Sequence, residues 1–277
     1  MNHSLNIKSM KLYNNVERIF NELREIGKST SDNLMVKDLS KFDQFHYHGT
    51  DAIDISIKKL GINDKSKILD VGSGIGGPAR YIANKTGAEI TAIELQSDQN
   101  NLANALTKRC GLSNKVTHIC GDILDYDFKN KKFDAVVSWL TLYHIPNHEI
   151  LLNKLYDLLN SNGFFYTEDI TSRIKLSDDE IKEIEKEIYG KHLPYFDKYI
   201  SNLEKNGFKL IYSEDMSSSW TEFTKERIIQ FNSEKERNIR VHGKEVVDSL
   251  NSFYNFVGKY YSNGKLGGIR FLAKKNT

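Results

Sequence analysis

The run Leu69-Asp70-Val71-Gly72-Ser73-Gly74-Ile75-Gly76-Gly77-Pro78 carries an apolar strand into a glycine loop and leaves it at a proline suited to the first turn of a helix. Backbone without Cβ can approach a ligand closely, and a helix that starts there turns free N–H groups toward it. The loop alone is ambiguous, because Gly72, Gly74 and Gly77 also satisfy the GxGxxG of dinucleotide-binding folds. The acids around it separate the possibilities. Asp70 stands two residues before the first glycine, Glu94 closes the next β-rich run, 22 residues after Gly72, and Asp122 follows the third run. Carboxylates at successive strand ends repel a pyrophosphate. They suit a ligand that carries an amino group, a ribose diol and an adenine amine.

Outward from the loop, KILDV, AEITAIE, VTHIC, FDAVVSWL and GFFYTEDI alternate with segments of helical character at 78–86, 98–110 and 147–160. That rhythm predicts an α/β fold with a mostly parallel, Rossmann-like sheet of seven strands covered by helices on both faces. A helix at 195–206 leads through Gly207 into FKLIYSEDM, residues 220–261 read as helical, and GGIRFLAKK supplies a last strand. Pro78, Pro146 and Pro194 each stand where a helix can begin. Near the start, Leu12, Val16, Ile19, Phe20 and Leu23 share one face of a helix that ends at Gly27. One domain accounts for this order: a lid over 1–66, a ligand-binding core over 67–216 and 267–274, and a helical cap over 217–266.

Composition narrows the class. The 277 residues hold 39 Lys+Arg against 37 Asp+Glu, a formal charge of +2, so no single-sign field recruits nucleic acid. No basic stripe with interleaved aromatics is present either. No apolar run approaches the ~20 residues of a membrane span, and the first residues lack the apolar core of a signal peptide, so the expected address is cytoplasmic. Cys110 and Cys120 are too few for a disulfide framework or a structural zinc site. His46 and His48 invite a metal reading, but no third ligand stands beside them, and no metal is expected.

The motifs LDVGSGIGG, AIELQ, GDILD and FDAVVSWLTLYHI, in this order, resemble the class I S-adenosylmethionine-dependent methyltransferases over residues 42–216 and the last strand. The resemblance implies S-adenosyl-L-methionine as cofactor and S-adenosyl-L-homocysteine as product. It implies that Gly72, Ser73 and Gly74 cradle the methionine end, that Asp70 orders this loop, and that Glu94 binds the ribose hydroxyls with Leu95 beside it. Asp122 and Ile123 are expected at the adenine, with Gln96 covering its face and Gln99 among the cofactor contacts. Gln44, Ser138 and Trp139 complete the expected cofactor contacts. Gln96 can equally be a solvated surface residue.

The fourth-strand run, Ser138 to Pro146, passes beside the reacting methyl in this fold, which makes His144 a candidate base for an acceptor that carries a proton. A helix-capping histidine is the other reading; related small-molecule N-methyltransferases keep a histidine at the matching position. The segment FDQFHYHG resembles the stretch that folds over the cofactor in this group, so His46 and Tyr47 become candidate catalytic residues of the acceptor wall. Its alternative is a polar turn. The layout looks most like the branch of glycine, sarcosine, dimethylglycine and phosphoethanolamine N-methyltransferases, although tocopherol-type C-methyltransferases share the loop. Leu140 stands where the phosphoethanolamine enzymes carry an aspartate, which counts against a phosphobase. The expected function is in-line methyl transfer to a small-molecule acceptor, an amine first, a phenol or carboxylate as alternative, by a monomer or homodimer. An NAD-dependent oxidoreductase is the competing class. Phe253, Tyr254, Phe256, Tyr260 and Tyr261 pack in the cap, where their faces suit a methylated ammonium.

Overall fold

The computed structural model describes residues 17–276. Three helices precede the sheet: α1 (Arg18–Glu25), α2 (Val36–Leu39) and α3 (Gly49–Leu60). Five apolar runs then form strands that pair in parallel: β1 (Lys67–Val71), β2 (Glu89–Glu94), β3 (Val116–Cys120), β4 (Phe133–Trp139) and β5 (Leu159–Ser172). Between them lie α4 (Gly77–Thr86), α5 (Ser97–Arg109) and α6 (His148–Leu158). After α7 (Asp178–Ile188) and α8 (Phe196–Lys205), β6 (Phe208–Asp215) and β7 (Leu266–Lys275) complete the sheet in antiparallel pairing. The order β3-β2-β1-β4-β5-β7-β6 places the reversal of strand order between β1 and β4. In open sheets of this kind that crevice is where ligands bind.

Alternation along each strand sends side chains to opposite faces. Leu69, Val136 and Phe165 pack on one face with Leu151 and Leu155 of α6 and Leu203 of α8. Ile68, Val137 and Tyr166 pack on the other with Ile82 and Ala83 of α4 and Ile53 of α3. The cap is α9 (Ser217–Ser233), α10 (Lys235–His242) and α11 (Lys244–Ser262), inserted between β6 and β7. Its anchor is Trp220, fully buried with Leu266, Val257 and Tyr261. The cap also reaches α1, where Glu22 accepts from Arg237 at 2.5 Å and pairs with His242 at 2.7 Å. Arg237 first, then His242, hold the Glu22 carboxyl at about 2, against the desolvation that pushes it up. Among the described residues no helix is long and apolar enough to cross a membrane.

Several elements differ from the sequence reading. Of the first helix, Arg18–Glu25 is described, with Ile19 and Leu23 buried; Leu12 and Val16 lie outside the described residues. Pro78 occupies the first turn of α4, but Pro146 and Pro194 lie two residues ahead of α6 and α8. They end the extended entry rather than begin the helix, as expected where a proline biases its predecessor away from helical backbone. The unanticipated α7 starts at a capping box: Ser177 Oγ accepts from the Glu180 N–H at 3.3 Å, and Glu180 Oε2 accepts from the Ser177 N–H at 2.8 Å.

Cap and sheet meet where a Cβ on Gly268 would lie 2.2 Å from Trp220 Cε3. Gly268→Ala is therefore expected to lower stability by about 1–3 kcal/mol through overpacking. Urea unfolding measures this as a lower midpoint with an unchanged slope.

Candidate active site

A cavity of about 350 Å³ opens at the C-terminal ends of β1, β2 and β4, over the reversal of strand order. Its floor is the glycine loop, held down by backbone bonds: the N–H groups of Gly72 and Ser73 donate to the Ile93 carbonyl at 2.9 and 3.1 Å. Gly72 takes φ +71°, and a Cβ there would lie 2.0 Å from Cγ2 of Thr141, just past β4. Thr141 Oγ1 in turn donates to the Gly72 carbonyl at 3.2 Å. The missing side chain thus lets the exits of β1 and β4 close on each other beneath the cavity.

The carboxylates stand in the cavity wall as their spacing predicts. Asp70 is 1% exposed, and its Oδ2 finds no partner among the described residues. Burial, reinforced by the charge of Glu94, pushes its carboxyl up to about 8. Glu94 accepts the Gly74 N–H on Oε2 at 2.9 Å and the Gln96 N–H on Oε1 at 2.8 Å. Burial raises its carboxyl too, against those backbone bonds. Asp122 accepts from the Leu124 N–H at 3.0 Å and lines the far end of the cavity with Ile123. Ser73 Oγ and Trp139 Nε1, both buried in lining residues, also lack partners among the described residues. Buried polar atoms are rarely left so. An acid that would be stabilised by a cation, a hydroxyl and an indole N–H therefore await a polar ligand here.

The segment before α3 forms a wall fixed from beneath. Arg80 of α4, fully buried, donates from Nη2 to Asp43 Oδ2 at 3.0 Å and from Nη1 to Thr107 Oγ1 of α5 at 3.3 Å. Burial pushes the Asp43 carboxyl up, and the Arg80 charge works against it. The Gln44 amide donates to Asp43 Oδ1 at 2.7 Å and offers Oε1 to His46 Nε2 at 3.1 Å. His46 then stacks on Trp139 with centroids 5.7 Å apart. A Cβ on Gly77 would lie 2.2 Å from the Asp43 carbonyl oxygen, so this wall rests directly on the start of α4.

Of the expected residues, Asp70, Gly72, Ser73, Gly74, Glu94, Leu95, Gln99, Asp122, Ile123, Trp139, His46 and His144 line the cavity; Gln44, Tyr47, Gln96 and Ser138 do not. Ser138 Oγ donates to the Val71 carbonyl at 2.8 Å and ties β4 to β1. Gln96 caps α5. Tyr47 turns away into the cap, edge-on to Trp220 at 4.9 Å, because the larger apolar surface lies there. His46 presents its ring rather than a free nitrogen: Nδ1 faces the Tyr47 carbonyl at 3.1 Å and Nε2 faces Gln44. Of these two histidines, His144 keeps a ring nitrogen for a ligand. Its Nδ1–H donates to the Tyr189 carbonyl at 3.1 Å, which leaves Nε2 as an acceptor in the cavity wall. Burial lowers its imidazolium to about 4, so the ring is neutral at pH 7.

His48 diverges from His46 and meets Ser219 Oγ at 2.9 Å; among the described residues no three His, Cys, Asp or Glu are placed to hold a metal. Sequence reasoning missed Thr141, Asp125 and Asn147 in the wall. Thr141 follows Leu140, which takes φ +50° at the strand exit, a turn that no residue type in the sequence marks. Of the cap aromatics, Tyr260 and Tyr261 are buried, and Tyr254 already faces a cation. The Arg227 guanidinium already lies 5.2, 5.5 and 4.4 Å from the rings of Tyr47, Phe223 and Tyr254.

The profile of the mycolic acid cyclopropane synthetase family matches residues 42–268. The phosphoethanolamine N-methyltransferase of Plasmodium falciparum is 30% identical over 209 residues, 73% of this chain and 76% of that protein. The sterol 24-C-methyltransferase of Candida albicans is 32% identical over 165 residues; these are 57% of this chain and 44% of that protein, so the chain spans less than half of it. Two solved structures share the fold. Phosphoethanolamine N-methyltransferase 2 of Haemonchus contortus, in complex with phosphomonomethylethanolamine and S-adenosylhomocysteine, superposes with TM-score 0.77 at 23% identity over 85% of this chain and 55% of that one. The cyclopropane synthase MmaA2 of Mycobacterium tuberculosis gives 0.71 at 17% identity over 82% and 84%.

The Asp43–Arg80 pair, with neither side chain exposed, should fail when one member is lost. Arg80→Met is expected to cost about 3–5 kcal/mol because it strands a buried carboxylate, and Arg80→Met with Asp43→Leu should recover much of that. Denaturant titration of the single and double variants measures the recovery.

Proposed function

We propose that this chain, which belongs to the mycolic acid cyclopropane synthetase family of class I S-adenosylmethionine-dependent methyltransferases, methylates a small-molecule amine in the cavity above β1 and β4. The supporting observation is the unpaired Asp70 Oδ2 and Ser73 Oγ beside a glycine loop, with Glu94 and Asp122 at the next strand ends. This set fits S-adenosylmethionine from end to end. Asp70 and Ser73 would hold the methionine portion, Glu94 the ribose hydroxyls, and Asp122 with Ile123 the adenine. When bound, the cofactor supplies a methyl group on a sulfonium, an electrophile that needs no acid to activate it.

The chain's own work is therefore to hold the acceptor close and in line, and to take a proton only where the acceptor brings one. His144 Nε2 accepts an N–H of the acceptor and so orients the nitrogen lone pair. An imidazole held near 4 is a weak base. Its main contribution is thus to position a neutral amine, and the ammonium product gives up its proton on reaching water. Trp139 and His46 shape the wall opposite and exclude water. Phenols and carboxylates fit this arrangement less well, because each reacts as an anion and Nε2 presents a lone pair rather than a proton.

Calorimetry with S-adenosylhomocysteine tests the cofactor assignment. At pH 7 the free Asp70 carboxyl, held near 8, carries its proton. An ammonium beside it favours the carboxylate, so binding should release protons, more at pH 7 than at pH 9. Asp70→Asn should bind about tenfold or more weakly and abolish the Asp70 share of that release. Failure of the wild type to bind would refute the reading. His144→Gln should leave cofactor affinity unchanged and lower kcat.

A further inference from the structure

Asp169 of β5 is fully buried, and methyl transfer as just described makes no use of it. Its neighbour Glu168, which alternation sends to the other face of the sheet, meets Arg270 at 2.8 Å. No such cation pairs with Asp169 among the described residues. Its carboxylate instead accepts the Tyr143 N–H on Oδ1 at 3.2 Å and the Tyr199 hydroxyl on Oδ2 at 3.0 Å. Burial pushes it up to about 7, against those bonds. An apolar side chain would fill the same place without that penalty, because a charge taken out of water with no counter-ion is costly. The acid is therefore accounted for by what it holds.

What it holds is the 3₁₀ turn Leu142–His144, the turn that carries His144 into the cavity wall. The first N–H groups of such a turn have no partner within it, and Asp169 takes that of Tyr143. The Tyr143 carbonyl accepts from the N–H groups of Lys191 and His192, at 2.9 Å each, and the Leu142 carbonyl accepts from His148 Nε2 at 2.7 Å. The same segment after α7 offers the Tyr189 carbonyl to His144 Nδ1. Tyr143 is thus pinned on its carbonyl by the 189–192 segment and on its N–H by Asp169, and its ring lies against that of His144 with centroids 3.9 Å apart. Freeing the N–H loosens the turn, and with it the bond from Nδ1 to Tyr189. The ring proton can then pass to Nε2, which removes the acceptor atom from the cavity wall.

We propose that Asp169 is a positioning residue for His144: by holding the Tyr143 N–H it keeps the His144 proton on Nδ1 and leaves Nε2 as the atom that meets the methyl acceptor. This rests on the reading of His144 as the residue that orients the acceptor. Asp169 acts through Tyr143 and does not itself line the cavity.

The groups that face Asp169 are Tyr143 from the turn and Tyr199 from α8, with His148 of α6 edge-on to Tyr199 at 5.7 Å and His192 stacked on His148 at 3.6 Å. Burial lowers the two imidazoliums to about 3 and about 4 and raises the Tyr199 phenol. Among these groups Asp169 is the one that changes charge near pH 7.

The test reads the His144 ring in the full chain, labelled with 15N and saturated with S-adenosylhomocysteine. Two-bond 1H–15N spectra separate the two neutral tautomers, and the signal lost in His144→Gln identifies the ring. The wild type should show the Nδ1–H form at pH 8. Asp169→Ala should give a mixture of tautomers and speed exchange of the Tyr143 amide about tenfold or more, while S-adenosylhomocysteine affinity stays unchanged. Asp169→Asn keeps an oxygen toward Tyr143 and should restore both readouts, whereas Asp169→Leu, which only fills the space, should not. If the Ala and Leu variants do not fold, a pH series carries the test: in the wild type the Tyr143 amide and the His144 ring nitrogens should shift together with a midpoint of about 7, and in Asp169→Asn this step should vanish. A wild-type His144 tautomer in Asp169→Ala, an Asn variant as impaired as the Ala variant, or a His144 ring without the step would overturn the proposal. An Nε2–H tautomer in the wild type would overturn the role given to His144, and failure of the wild type to bind S-adenosylhomocysteine would overturn the methyltransferase reading itself.

Discussion

The site depends on a contact that only an absent side chain permits. Thr141 stands where a Cβ on Gly72 would be, so the exits of β1 and β4 meet beneath the cavity. Their parallel pairing, Ile68 to Ala135 through Asp70 to Val137, brings them there in register. From that junction the chain leaves in opposite directions, toward β2 and β3 on one side and β5 on the other. The acids at the ends of β1 and β2 and just past β3 line one half of the crevice, and the turn that bears His144 lines the other. The separation of an acid-lined half from a half that bears His144 thus follows from topology before any side chain is chosen.

The electrostatics of the crevice work against the protein that holds no ligand. Asp70 and Glu94 are both buried, both pushed up by desolvation, and Asp70 further by its neighbour. Glu94 is partly relieved because backbone N–H groups of the glycine loop and of the start of α5 reach its oxygens. Asp70 Oδ2 has no such relief among the described residues. An uncompensated acid of this kind weakens the fold slightly but lies ready for a cation.

Much of the fold was legible because it is written in local periodicity. KILDV and FDAVVSWL alternate into two covered faces, and the glycine loop sits at a strand-to-helix junction. The S-x-x-E of Ser177 to Glu180 was equally legible as a helix start, but it follows no strong apolar run and so α7 was missed. The candidate site was legible for residues whose backbone position settles their role, such as Gly72, Glu94 and Asp122. Facing was not legible. Whether Tyr47 or His46 enters the cavity depends on the competition between Trp139 on one side and Trp220, Phe223 and Tyr261 on the other, contacts made across more than 90 residues of sequence. A shorter separation, 37 residues, is enough to hide the Asp43–Arg80 pair, since charge alone marks neither residue as buried.

Relatives named for phosphoethanolamine, for sterols and for cyclopropane synthesis align with this one core. Such breadth is possible when the acceptor is selected by elements the core does not need. The elements added to the core here are the segment before α3 and the cap, and each is fixed in its own way. The segment is locked by a buried ion pair to the helix that follows the glycine loop, so its geometry is bound to the cofactor side. The cap is anchored through Trp220 at the sheet and held to α1 by Glu22 and Arg237 nearer the surface. A cap packed through Trp220, Val257, Tyr260 and Tyr261 and tied by charges at its rim lies outside the strand pairing, so its side chains can change without altering the register of the sheet.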